Sequence, residues 1–326
     1  MPHHPLTSAS RFVVALMIGS AASIAQESAP TNEGARWSEE QLRQAVAPAR
    51  VGRRLTPRTW PNETRVAVCL SFDVDNESYL LAQAETSPTT LSAGEFGAES
   101  GLARILKLLD RYQIPATFFI PAVSALIHPG QIPAILKSGR HEIAVHGWIH
   151  EYLPAIQDAS EEERLLEKAI DYLTQATGKR PVGYRAPSWA FSARTLDLIR
   201  KAGFLYDSSL SALDEPYEVM SNGEATGLVE LAIDWTLTET PYLGARGALP
   251  SPDKLFQLYK DEFDGAYQEG TLFVLTLHPH VVGHRAPMRY FDQLVDYIQS
   301  KPGVWFATGE QIARYVKMAE PRELDK

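Results

Sequence analysis

The sequence predicts an α/β domain with parallel strands, arranged as a barrel or an open sheet, and three observations predict it. From Arg65 onward, short β-type runs alternate with helical stretches. Gly139, Gly178 and Gly203 stand where helices of such a pattern stop. The polar residues of chemical interest fall at the C-terminal ends of the β-type runs, where α/β folds bind ligands.

The β-type runs are 66–72, 116–120, 142–145, 204–206, 228–233, 271–277 and 304–306. The helical stretches are 99–112, 132–137, 160–176, 193–202, 252–268 and 288–299. Leu102, Ile105, Leu106 and Leu109 show the three-to-four residue recurrence of an amphipathic helix. Ser251 followed by Pro252 reads as an N-cap and a first helical position. Residues 76–98 are rich in Ser, Thr, Pro and Gly and are expected to form a long loop over the same face as the first strand's end. That loop reads equally as a lid, a substrate-binding segment or a surface insertion.

Ahead of the domain, residues 26–64 read as an arm or linker with one helical stretch at Glu39–Val46. Arg36, Arg43, Arg50, Arg53, Arg54 and Arg58 are expected on its solvated surface. Arg11 precedes an apolar run over 12–18, and Ser23-Ile24-Ala25 fits a small-x-small cleavage site. A signal peptide over 1–25 is therefore expected, with a periplasmic or secreted protein and no stable membrane insertion after cleavage. An uncleaved anchor is the alternative. The main domain is expected over 65–318, with a short tail at 319–326.

The chain has 326 residues, a net charge of -9 and a hydrophobic share of 44%, which allow a large core and argue against a nucleic-acid or anionic-membrane partner. The single cysteine, Cys69, has no internal disulfide partner and reads as a small buried hydrophobe.

Four segments carry chemistry. The first strand ends Phe72-Asp73-Val74-Asp75, and residues two apart on a strand share a face. Two such carboxylates repel unless a cation or an arginine offsets them; turn or cap chemistry is the other reading. His146 and His150, on a helical turn, would point two imidazoles to one side within reach of one cation. Two histidines and a carboxylate with open positions form a catalytic rather than a structural site. Arg185, in Tyr184-Arg185-Ala186-Pro187, is placed to neutralise the aspartates. His278 ends the apolar run Leu275-Thr276-Leu277, and either it or His280 alone would read as structural.

Together these segments resemble the polysaccharide deacetylase family, over roughly residues 65–316 and in the family's order. The resemblance is greatest to a bacterial peptidoglycan deacetylase-like branch that also resembles cyclic-imide and ureide hydrolases. Its marks are the split Asp73-Val74-Asp75, Gly94-Glu95-Phe96-Gly97 and Gly203-Phe204-Leu205-Tyr206-Asp207-Ser208-Ser209-Leu210. The resemblance implies a distorted (β/α) barrel of about seven parallel strands. It implies one divalent metal on Asp75, His146 and His150, zinc first, with cobalt, nickel, iron or manganese as alternatives. It implies Asp73 as general base, Arg185 orienting it, and His278 as the acid for the leaving amine. Trp148, Tyr184, Pro187, Trp189 and Asp207 are candidate substrate-binding residues, with Asp207 also placed to steady Arg185 or His278, and Trp235 joins the aromatic wall. The implied substrate is an N-acetylglucosamine-type glycan. A small cyclic imide or ureide is the alternative, and a glycan-binding protein without catalysis the second alternative. A homo-oligomer fits any of them.

Overall fold

The structure, a computed structural model, describes residues 33–244 and 251–322. The expected signal peptide and residues 323–326 of the expected tail lie outside the described residues. Contacts divide the chain into units of residues 1–45 and 46–326. The helix Glu39–Val46, of which all but Val46 belongs to the first, forms where it is expected. Ser38 and Gln41 cap it reciprocally, the Ser38 amide donating to Gln41 Oε1 at 2.8 Å and the Gln41 amide to Ser38 Oγ at 3.2 Å. No described helix is long and apolar enough to cross a membrane.

The second unit holds ten described strands in one curled sheet. They are β1 (Arg50–Arg54), β2 (Val66–Asp73), β3 (Thr117–Ile120), β4 (Glu142–Val145), β5 (Gly183–Tyr184), β6 (Tyr206–Asp207), β7 (Tyr217–Ser221), β8 (Glu224–Glu230), β9 (Leu272–Leu277) and β10 (Val304–Phe306). Their order is β1-β7-β8-β6-β5-β4-β3-β2, with β9 along one edge of β2. The other edge of β2 is shared: β10 pairs with residues 66–68 and β3 with residues 71–73. Eight strands run parallel, and β7 is antiparallel to both β8 and β1. A parallel bridge from Thr238 to Thr276 ties the chain after β8 to β9, so the sheet curls toward closure as an open barrel.

Alternation along β2 decides what faces the barrel interior. Val66, Val68, Leu70 and Phe72 pack outward against the helices, whereas Ala67 and Cys69 belong to the inner cluster with Phe119, Tyr206 and Val274. Ser71 and Asp73 continue the inner row, both buried. Every residue of β2, β3, β4 and β9 is buried, as parallel strands covered on both faces require. At the N-terminal ends of the strands, the helix Gly309–Met318 and Trp60 pack into the inner cluster.

Three expectations are corrected. Residues 26–64 are not all arm or linker, because β1 pairs with β7, and Leu55 and Trp60 are buried. The strand expected over 228–233 is the second arm of a hairpin. Asn222 and Gly223, at φ 51° and 84°, make the tight turn between β7 and β8, a two-residue turn that needs positive φ at both positions. Residues 76–98 are largely helical rather than a long loop, with helices at Ser78–Leu81 and Pro88–Phe96. The latter runs through a wide π-type turn at Gly97–Gly101 into the helix Leu102–Tyr112. A Cβ at Gly97 would meet the Asn76 side chain and His280, and one at Gly101 would meet the Pro279 carbonyl. Glycine therefore lets this helix lie directly against the segments following β2 and β9.

Candidate metal centre

The C-terminal ends of four parallel strands bring the expected residues together. Asp73 is the last residue of β2 and Asp75 lies two further on; His146 follows β4, Arg185 follows β5 and His278 follows β9. His146 Nε2 lies 3.7 Å from Asp73 Oδ2 and 3.6 Å from Asp75 Oδ1, and His150 Nε2 lies 3.7 Å from Asp75 Oδ2. His278 Nε2 lies 3.7 Å from Asp75 Oδ2 and 3.9 Å from Asp73 Oδ2. All five side chains are at most 14% exposed, with His150 and His278 nearest solvent.

The His146–His150 pair is not on a helical turn. An irregular loop brings the rings to 5.1 Å between centroids, through Gly147 at φ 76° and His150 at φ 67°. A Cβ at Gly147 would lie 2.7 Å from the Pro187 ring, so only glycine fits there. Glu151 holds the loop by accepting the amides of Trp148 at 3.0 Å and Ile149 at 2.8 Å.

One ligand atom from each of Asp75, His146 and His150 lies within 4.8 Å of the others. His146 Nδ1–H donates to the Arg185 carbonyl at 2.8 Å, which turns the unprotonated Nε2 toward the aspartates. Burial lowers the pKa of both imidazoles, His150 to about 4, so they stand in the neutral, ligating form. Asp75 Oδ1 is buried without a hydrogen-bond partner. Burial, reinforced by Asp73 and Glu239, pushes the Asp75 carboxyl up against the pull of His146 and His278. An orphaned carboxylate oxygen facing two neutral imidazoles fits a single divalent cation.

Asp73 is held differently. Burial pushes its carboxyl up, but Arg185, His146 and His278 outweigh that and hold it at about 2. Arg185 Nη1 donates to Asp73 Oδ1 at 2.6 Å, and Trp189 Nε1 reaches Oδ2 at 3.4 Å. Burial pulls His278 down, yet Glu239, Asp75 and Asp73 raise it to about 9. Glu239 is fully buried and takes both the His278 amide, at 2.5 Å, and its Nδ1, at 3.2 Å.

The remaining expectations divide. Trp189 stands beside Asp73 and pairs with Trp235 at 4.3 Å between ring centroids, the latter 53% exposed. Trp148 instead packs on Lys168 and Tyr172 of the helix Ala159–Thr177, and Tyr184 and Pro187 are buried. Asp207 does not steady Arg185 or His278. It is fully buried, pushed up to about 6 by burial, and bonded to Ser209. The residue beside it, Ser208, contacts Arg185, and Glu239 contacts His278. Neither stood out in the sequence: Ser208 sits inside a recognised segment without a charge, and Glu239 lies in a stretch with no strand or helix pattern. Tyr79 was equally silent; it stacks on His280 at 5.2 Å and meets the His150 ring edge-on at 6.4 Å.

Comparison with known proteins agrees with this geometry. Residues 89–206 match the family model of the polysaccharide deacetylases. The peptidoglycan deacetylase of Helicobacter pylori is 32% identical over 290 residues, covering 79% of this chain and 98% of that protein. The chain belongs to the polysaccharide deacetylase family. Among solved structures of similar proteins, one from Mycobacterium smegmatis assigned to the polysaccharide deacetylases is 34% identical, with a TM-score of 0.75 over 85% of this chain and 99% of that one. The PuuE allantoinase is 26% identical, with a TM-score of 0.72 over 81% of this chain and 94% of that one. The distorted (β/α) barrel expected for a deacetylase is the fold observed, with eight strands in parallel pairing among the described residues where about seven are expected.

Proposed function

We propose that this deacetylase-family chain is a metal-dependent amide hydrolase that removes acetyl groups from N-acetylglucosamine-type glycans, peptidoglycan foremost. One observation carries the reading: an Asp-His-His set, an arginine-held aspartate and a glutamate-backed histidine converge within 4 Å contacts at the strand ends. The relative from Helicobacter pylori supports the substrate class.

Asp75, His146 and His150 would hold one divalent cation, zinc first, whose contribution is to polarise the amide carbonyl and acidify the attacking water. Asp73 accepts the proton of that water. Arg185 keeps the Asp73 carboxylate ionised and fixes which oxygen faces the reaction. His278, held cationic between Glu239 and the aspartates, donates its proton to the leaving nitrogen as the C–N bond breaks. Each positioned proton-transfer group is worth about 10²–10⁴-fold in rate. Trp189 and the exposed Trp235 offer apolar faces for a sugar ring at the mouth. Export through residues 1–25 would bring the enzyme to a polymer outside the membrane.

A specific observation favours a second reading, a hydrolase of small cyclic imides or ureides on the same site. The chain is similar to an allantoinase along most of its length, and the centre is nearly closed to solvent. Acetate release from N-acetylglucosamine oligomers and peptidoglycan, with a cyclic imide assayed beside them, separates the two. Acetate release abolished by a chelator supports the first reading. Ring opening without acetate release replaces the substrate, and turnover unaffected by chelation sinks the metal assignment.

A further inference from the structure

Arg185 is wholly buried, with its guanidinium 3.9 Å from the Phe119 ring, and a charge in that position needs a partner for each donor. Asp73 is the one carboxylate within 4.0 Å of it among the described residues. Neutral oxygens take three more of its five N–H donors. Nε donates to the Ser208 carbonyl at 2.9 Å and Nη2 to Ser208 Oγ at 2.8 Å, while Nη1 also donates to Ser71 Oγ at 3.1 Å. A single serine thus grips the Nε–Nη2 edge through both its backbone and side-chain oxygens. The grip has the two-point form of a carboxylate without its charge.

Ser208 is itself fixed. Its hydroxyl proton goes to the Leu231 carbonyl at 2.8 Å, which leaves Oγ free to accept, and its amide donates to the Tyr184 carbonyl at 3.0 Å. Next along the chain, Ser209 Oγ accepts the Ala186 amide at 2.8 Å and donates to Asp207 Oδ1 at 2.8 Å. The Ser209 and Leu210 amides donate to Glu230 Oε1 at 3.0 and 2.9 Å. The segment after β6 is therefore pinned to β5 on one side and β8 on the other.

We propose that Ser208 is the positioning residue for Arg185. It orients the guanidinium while leaving its positive charge to Asp73 alone. A second carboxylate at this edge would divide the charge and weaken the hold on the base. The inference rests on the amide-hydrolase reading above, in which Asp73 is that base.

The test compares Ser208→Ala, Ser208→Thr and Ser71→Ala in the full chain, with metal content, kcat and KM measured for each. Loss of a charge-assisted hydrogen bond predicts a kcat lowered about tenfold or more in Ser208→Ala, with KM and bound metal unchanged. Ser208→Thr keeps the hydroxyl and restores kcat; Ser71→Ala costs less, because Nη1 keeps Asp73. Unchanged kcat in Ser208→Ala overturns the proposal, as does an equal loss in Ser71→Ala or a loss accompanied by released metal. Arginine side-chain nuclear magnetic resonance adds a readout independent of turnover and of whether the threonine is accommodated. Protection of the Arg185 Nη2–H protons from solvent exchange should be lost in Ser208→Ala, whereas Nε–H, donated to the Ser208 backbone carbonyl, keeps its own; retained Nη2–H protection refutes the proposal. If the unmodified protein turns over neither glycan nor imide while that protection behaves as stated, the functional reading fails and the positioning of Arg185 stands.

Discussion

Glu142 should make the stability of this protein fall between pH 4.5 and about 7. It opens β4 at the end of the barrel opposite the metal centre and is buried. Its oxygens accept Tyr206 OH at 2.9 Å, Thr117 Oγ1 at 3.0 Å and the Glu310 amide at 2.8 Å. Burial nevertheless dominates those bonds and raises the carboxyl from its ordinary 4.5 to about 7. The folded chain then binds more protons than the unfolded chain across that window, so unfolding free energy decreases as pH rises. The difference between the two values corresponds to roughly 3 kcal/mol, fully lost above pH 7. Glu142→Gln removes the titration, so its stability relative to the unmodified protein should improve by about that amount between pH 4.5 and 8. Urea unfolding of both proteins along this pH series measures it, and the comparison cancels titrations common to the two. Parallel stability curves would refute the reasoning, because they would mean that the folded barrel tolerates the Glu142 charge. The dependence on pH of substrate turnover should be the same in both, since Glu142 does not touch the centre.

Three further outcomes follow from the site. Asp73→Asn should lower amide hydrolysis by about 10²–10⁴-fold while the protein still binds metal, checked by kinetics alongside elemental analysis; retained activity would remove Asp73 from the role of base. His146→Ala should abolish stable metal binding as well as turnover, and metal retained at full stoichiometry would move the ligand set elsewhere. Trp235→Ala should raise KM for glycan oligomers several-fold with kcat little changed, because Trp235 is exposed and stands beyond Trp189 rather than against Asp73. Equal KM values would exclude a sugar face at this pair.

The chemically loaded segments were legible because each sits where a strong local pattern stops. Phe72-Asp73-Val74-Asp75, His146, Arg185 and His278 all end strands, and burial of the strand fixes the direction of its last residues. The hairpin β7–β8 was legible in principle through Asn222-Gly223, but the apolar run at 228–233 drew the strand past its true end at Glu230. The helix Pro88–Phe96 has an N-terminal Ser-Pro signal of the same kind as Ser251-Pro252. Gly94 within it and Gly97 and Gly101 after it obscured it, because they serve close packing against Asn76 and Pro279 and not a loop.

The sequence by itself determined the alternating α/β order, the strand ends and the kinds of donor available there, because hydrophobic periodicity and residue chemistry are local. Tertiary structure alone decided which groups meet. His150 reaches the centre through a left-handed backbone and not a helical turn, Glu239 arrives from a patternless stretch to hold His278, and Ser208 rather than Asp207 holds Arg185. The physical reason is that a buried polar group takes whichever partner the folded backbone places within hydrogen-bond reach. Neighbouring side chains along a strand point to opposite faces, so a shift of one residue, from Asp207 to Ser208, exchanges a charged partner for a neutral one.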